Sequence, residues 1–169
     1  MLLGRVRKCD EVTDVREVGV TVRRARIGDV GALVALRVEM FRSMGSVTDG
    51  ERWATNAYEW FVDRLDNADY GIFVVEQHGD VVACAMGAIR DAAPSPLAPD
   101  GRDVLISNVC TAPSARGSGF GGRAFDAVLE WARETGIARA ELMATPSGQG
   151  IYHRNGFAVN AFPAMRAQL

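Results

Sequence analysis

The stretch Thr111-Ala112-Pro113-Ser114-Ala115-Arg116-Gly117-Ser118-Gly119-Phe120-Gly121-Gly122 decides how this chain is read. It follows an apolar run, residues 104–111, of the kind that forms a buried strand. It leads into residues 119–135, where Phe120, Ala124, Phe125, Val128, Leu129 and Ala132 recur at helical spacing before Gly136. The segment is therefore a strand-to-helix turn. Its glycines let backbone approach a ligand closely, and the first N–H groups of a helix have no partner within it. The helix dipole and Arg116 add positive charge at the same end, so the turn is built to hold a phosphate. A flexible linker would have no reason to place its glycines where an amphipathic helix begins.

Two nucleotide motifs compete for this turn. Gly117-x-Gly119-x-x-Gly122 matches the dinucleotide fingerprint, and Glu141 lies near the expected downstream acid. Three features oppose that reading. Residues 113–116 separate the glycines from their strand, Glu141 falls inside the next strand, and too little chain follows for another half-sheet. A Walker loop fails because no Gly-Lys-Ser/Thr follows.

Working outward, residues 20–26 alternate as a strand, and Asp29 is placed to cap a helix over 30–44 that Gly45 ends. Thr48 or Asp49 caps a second helix with Trp53, Ala57, Trp60, Phe61 and Leu65 on one face, read first as core and second as pocket wall. Residues 70–77 and 81–90 form a hairpin about His78-Gly79-Asp80, with His78 exposed. A proline-rich loop, 91–103, is long enough to serve as a lid. After the glycine-rich turn and its helix come a strand over 138–144 and a short helix capped by Thr145-Pro146 and stopped by Gly156. Residues 157–159 and 164–169 are the last strand candidates. The order predicts one α/β (α+β) domain over 20–169, a mixed and mostly antiparallel sheet of six to seven strands flanked by four helices. Residues 1–19 are charged and aperiodic, and are expected to be a mobile extension or an added edge strand.

Composition narrows the function. The 169 residues are 48% hydrophobic with a net charge of −2, which suits a globular domain and offers nothing to nucleic acid or an anionic membrane surface. No apolar run approaches the about 20 residues of a membrane span, and the charges after Met1-Leu2-Leu3-Gly4 reverse the order of a signal peptide. Cys9, Cys84 and Cys110 are odd in number and lack metal-ligand spacing, pointing to a reducing cytoplasm and no metal. Cys110 as a nucleophile would need a neighbouring base, and none is identifiable.

The run Thr111-x-Pro113-x-x-Arg116-Gly117-x-Gly119-x-Gly121 resembles the acyl-CoA pyrophosphate motif of the GNAT superfamily of N-acyltransferases. Ile151-Tyr152-His153-Arg154-Asn155-Gly156-Phe157 resembles that superfamily's Leu-Tyr-x-x-x-Gly-Phe signature, and both motifs occur in order within residues 20–160. The resemblance implies a sheet splayed between the fourth and fifth strands and acetyl-CoA as co-substrate. It puts Val109, Cys110 and Thr111 along the pantetheine arm, and Arg116, Gly117, Ser118, Gly119, Phe120, Gly121 and Gly122 around the pyrophosphate. Tyr152 would protonate the departing thiolate, with a packing tyrosine as the plainer alternative. Thr145 stands where many members carry a cofactor-binding asparagine. The region where some members place a glutamate base reads Leu105-Ile106-Ser107-Asn108, without a carboxylate. The acceptor, a small-molecule or peptide amine, would meet Arg37, Phe41 and Asn108. Arg37 could grip a substrate carboxylate, form an internal ion pair, or snorkel. Dimers are common among look-alikes, so a homodimer is compatible. An acyl-CoA-binding module without turnover is the rival class.

Overall fold

The computed structural model describes residues 19–46 and 51–167. The expected extension over 1–19 lies outside them apart from Gly19, as does the Thr48/Asp49 cap. Five strands form one sheet in chain order: β1 (Val20–Arg24), β2 (Tyr70–Gln77), β3 (Asp80–Asp91), β4 (Arg102–Thr111) and β5 (Ala140–Leu142). The first three pairings are antiparallel and β4–β5 is parallel. Helices α1 (Val30–Ser43) and α2 (Glu51–Val62) precede β2, α3 (Phe120–Glu134) links β4 to β5, and α4 (Gln149–Arg154) follows.

The β2–β3 hairpin closes through His78 and Gly79 at φ 52° and 93°. Two positive φ angles make a type I′ turn, whose twist matches that of the strands it joins.

Alternation along the strands supplies two cores. Ile72, Val74, Cys84, Met86 and Cys110 face one side, against Val30, Leu33, Leu36 and Phe61. Val75, Ala83, Ala85, Val104 and Ile106 face the other, against Phe120, Phe125, Val128 and Leu129 of α3. Each fully buried side chain of this size contributes about 1.5–3 kcal/mol. Every α3 residue expected to point inward is buried, and Trp131 joins them. Its indole lies over Gly71 and Gly87, which are cross-strand partners, and a Cβ on either would overlap the ring.

Three expectations are corrected. Among the described residues the sheet has five strands, not six to seven. Residues 157–159 and 164–167 join no strand, and Phe162 and Met165 there are 82% and 92% exposed. They pair with no strand of the sheet, and apolar residues without that pairing do not make a strand. Asp29 holds the N-cap position of α1, but its side chain makes no cap hydrogen bond there. Its carboxylate instead accepts from Arg23 Nη1 and Nη2 at 2.6 and 2.9 Å and from the Arg26 N–H at 2.7 Å. Thr145 does not cap α4 either: Gly148 holds that position.

Among the described residues, no helix is long and apolar enough to cross a membrane.

Candidate active site

The β4–β5 register runs only from Val104↔Ala140 to Ile106↔Leu142, while β4 continues to Thr111. Residues 107–111 therefore have no strand on that side, and two cavities open along this stretch. Both count Val109, Thr145 and Tyr152 among their walls.

The first, about 690 Å³, is the glycine-rich cavity. Cys110 and Thr111 lead into it, and a 3₁₀ turn (Pro113–Ala115) carries the chain to Arg116. Gly117 and Gly119 follow at φ 85° and 77°, with open space where a Cβ would stand, so glycine is required there by conformation rather than by crowding. Phe120, Gly121 and Gly122 complete the turn, the Phe120 side chain being sunk in the core. The first amide bonded within α3 is that of Arg123, to Gly119 O at 3.1 Å, which leaves the preceding N–H groups for an anion. Ser118 is exposed and is not one of the walls. Arg116 is engaged elsewhere: its Nη2 meets Glu39 Oε1 of α1 at 2.8 Å.

The second, about 850 Å³, is the aromatic cavity, bounded by α1, α2 and β4. Arg37, Phe41 and Asn108 are brought together in it. A bulge explains Asn108. Cys84 pairs with Cys110 and Met86 with Ser107, so Asn108 and Val109 together oppose Ala85. Asn108 takes φ 56°, a left-handed conformation that asparagine tolerates better than most residues. Its side chain is buried, with Oδ1 accepting from Arg37 Nη1 at 2.6 Å while Nδ2 has no partner among the described residues. The Cys84 thiol, its pKa pushed far up by burial, donates to Asn108 O at 3.2 Å.

Arg37 stacks on Phe41 with its guanidinium carbon 4.9 Å from the ring centroid. It forms no ion pair among the described residues, and burial draws its pKa down. Withdrawing such a cation from water costs on the order of several kcal/mol. The aromatic stack offsets about 1–2 kcal/mol of that. Trp53, Ala57 and Trp60 are half-buried walls of this cavity, Trp60 also packing against the core, and only Phe61 and Leu65 of that helical stripe are buried. Trp53 meets Phe41 edge-on at 5.8 Å. Among the described residues, the ionisable side chains of the walls are Arg37, Tyr152 and Arg166, with no carboxylate or histidine.

Tyr152 stands where the cavities meet. Its ring packs on Phe125 at 5.0 Å, yet its hydroxyl makes no hydrogen bond among the described residues. Burial raises its pKa, so the phenol keeps its proton at neutral pH. A purely packing tyrosine would have its hydroxyl satisfied. Gly148 permits the placement, since a Cβ there would lie 2.9 Å from the tyrosine Cε2 and 3.2 Å from Oη. Thr145 accepts the Gly148 N–H through its carbonyl at 2.9 Å, and its Oγ1 lies 3.2 Å from Ser147 Oγ. His153 is exposed, as expected. Burial pushes the Cys110 thiol up, and no base stands among the glycine-rich walls, so it is not an activated nucleophile. Glu141 is bound up with Arg90 at 2.8 Å and is not free to hold a ribose. Among the described residues no group of three or more His, Cys, Asp or Glu is placed to hold a metal.

Helix spacing alone does not reveal which apolar side chains face a cavity, so Met40, Met44, Trp53 and Trp60 were not legible as walls. The signal available was Arg37, a charge inside an apolar stripe.

Comparison with known proteins agrees with this geometry. No curated protein is significantly similar. Among solved structures, a predicted acetyltransferase with acetyl-CoA from Clostridium acetobutylicum superposes with a TM-score of 0.79 at 24% identity, over 88% of this chain and 96% of that one. A GCN5-related N-acetyltransferase from Ralstonia eutropha JMP134 gives 0.74 at 25%, over 88% and 99%. Glucosamine-6-phosphate N-acetyltransferase from Arabidopsis thaliana gives 0.67 at 16%, over 88% and 97%. The sequence model of the Acetyltransferase (GNAT) family matches residues 33–157, most of the chain, and with both signature runs and the five-stranded mixed sheet in place, the protein belongs to that family.

Proposed function

We propose that the protein is an N-acetyltransferase that moves the acetyl group of acetyl-CoA to a primary amine, by direct attack in a ternary complex. The observation that carries this reading is the unengaged, protonated Tyr152 hydroxyl between the two cavities. The resemblance of the fold to a structure holding acetyl-CoA supports the choice of co-substrate.

The residues present fit that co-substrate. Gly117 and Gly119 leave open space beside the unpaired N–H groups of α3, and Arg116 supplies charge for the pyrophosphate. The free edge of β4 at Val109, Cys110 and Thr111 offers backbone partners to the amide-rich arm, in the manner of an added strand. Thr145 closes the channel from the β5 side. Bound acetyl-CoA supplies an activated acyl thioester. A backbone N–H of the bulged segment polarises its carbonyl. An amine held in the aromatic cavity forms the new C–N bond as the C–S bond breaks. Tyr152 Oη gives its proton to the departing sulfur, and the amine's proton leaves through water, since among the described residues no wall carboxylate or histidine can take it. The buried, unpaired Cys84 and Cys110 thiols support a cytoplasmic setting.

The missing base favours the second reading, an acyl-CoA-binding module without turnover. Thiol release from acetyl-CoA against a panel of amines separates the two. Release with N-acetylated product supports the enzyme; tight CoA binding with no release for any amine supports the module.

A further inference from the structure

Arg37 is the cation of the aromatic cavity that the fold itself does not explain. It is turned inward, stacked on Phe41, and bonded to a neutral amide oxygen at 2.6 Å. Two other half-buried arginines find carboxylates, Arg23 with Asp29 and Glu76 and Arg139 with Asp103, while Arg64 lies over Trp60 and bonds that residue's carbonyl, away from the cavity walls. Arg37 uses Nη1 on Asn108, and its remaining N–H groups make no hydrogen bond among the described residues. Among the described residues, the surrounding walls are mainly apolar, with Trp53, Trp60 and Met86, and include no acidic group.

The geometry points to an acceptor that carries its own carboxylate: an amino acid with an apolar or aromatic side chain, its carboxylate on Arg37, its body against Trp53 and Trp60. This rests on reading the aromatic cavity as the acceptor site. A bulky amine without an anion would leave a half-buried cation without a counter-charge, whereas a carboxylate matches the free edge of a guanidinium in two parallel bonds. A phosphate is a poorer match, because among the described residues Arg37 is the single inward cation of the walls and Arg166 is exposed. Nearness favours an amine close to the carboxylate. Arg37 is anchored on Asn108, the residue before Val109, and Val109 belongs to both cavities. The Asn108 Nδ2, buried and unpartnered, is one more donor for an oxyanion.

The test is calorimetric titration of the full chain, with CoA present, by phenylalanine, leucine and methionine, each beside its carboxamide and its decarboxylated amine. Each acid is expected to bind at least tenfold more tightly than its carboxamide. Arg37→Gln should erase that ratio and leave CoA affinity unchanged, while Arg37→Lys keeps part of it. Equal binding of acid and carboxamide overturns the inference, as does binding of none of them, retention of the ratio in Arg37→Gln, or tighter binding of phosphoethanolamine. If Arg37→Gln does not fold, the wild-type ratio and Arg37→Lys still decide. Thiol release is recorded separately. Acid-selective binding without release sinks the enzymatic reading alone, and release that ignores the carboxylate sinks this one alone.

Discussion

Arg116 Nη2 rests 2.8 Å from Glu39 Oε1, so the full charge that the glycine-rich turn offers to a pyrophosphate is held by a carboxylate of α1. Glu39 also takes Arg42 at 3.1 Å. Arg116 is about half exposed, and exposed pairs of this kind contribute only about 0.5–1 kcal/mol. Glu39→Gln should therefore tighten acetyl-CoA binding about two- to fivefold, by freeing Arg116 and by removing a negative charge near the phosphates. Calorimetry with acetyl-CoA measures this. A weaker affinity would show that Glu39 positions Arg116 rather than competes for it.

Tyr152→Phe should lower kcat by about a hundredfold or more while leaving the KM for acetyl-CoA within a factor of two, as expected for a general acid. Its raised pKa also fixes a sign. The phenol stays protonated up to and beyond about pH 10, so the rate should climb with pH as the amine is deprotonated, with no falling limb below that value. A rate that falls between pH 7 and 9 while the protein stays folded would assign the proton to another group.

Gly148→Ala probes the placement of that hydroxyl without touching it. The backbone there has φ −88°, which alanine accepts, so the effect is purely one of space. The new methyl would stand 2.9 Å from the ring, and either the ring or the loop must move. Turnover should fall about tenfold or more, since small displacements of reacting groups are costly. The melting temperature should drop by only a few degrees. Normal turnover would mean that the loop yields instead of the tyrosine.

The glycine-rich turn was legible because its residue types report a demand on the backbone: close approach to a ligand was the expected one, and the structure adds left-handed angles at Gly117 and Gly119. The two cores were legible for a similar reason: alternation and helical spacing record burial directly. The aromatic cavity was not. Trp53 and Trp60 keep the same spacing whether their face meets a core or a void, and only the tertiary position of α2 decides. The sheet was overcounted because residues 157–159 and 164–167 carry strand-like side chains yet pair with no strand. The bulge at Asn108 left only a faint mark, a polar residue inside an apolar strand, that spacing cannot convert into geometry.

Acid should unfold the protein through two buried carboxylates. Asp29 is held below the usual range chiefly by its bonds from Arg23. Burial pushes Asp103 up, but hydrogen bonds from Arg90 and Arg139 outweigh it and its pKa is lowered. As pH falls, the unfolded chain takes up protons at these sites first, near about pH 3.9. Their stabilisation is thus full above that value and is lost as pH falls through the folded values. The melting temperature should be insensitive to these groups between pH 5 and 7 and should fall steeply below about 4. Asp103→Asn should cost about 2–4 kcal/mol at neutral pH and flatten part of that fall, as read by calorimetry. An unchanged acid limb would place the sensitivity elsewhere.

Trp131 in its slot over Gly71 and Gly87 reaches further than local packing. It works as a key in a keyway. An indole seated on two neighbouring strands where each has a glycine fixes the azimuth of α3 about its own axis, and Trp131 lies about 16 Å along that axis from Phe120. The amides that open the helix are aimed by this distant seat as much as by the glycines around them. A methyl added at position 71 or 87 would turn the helix in its bed, and the loss would be felt at the phosphate end, in residues that touch neither glycine.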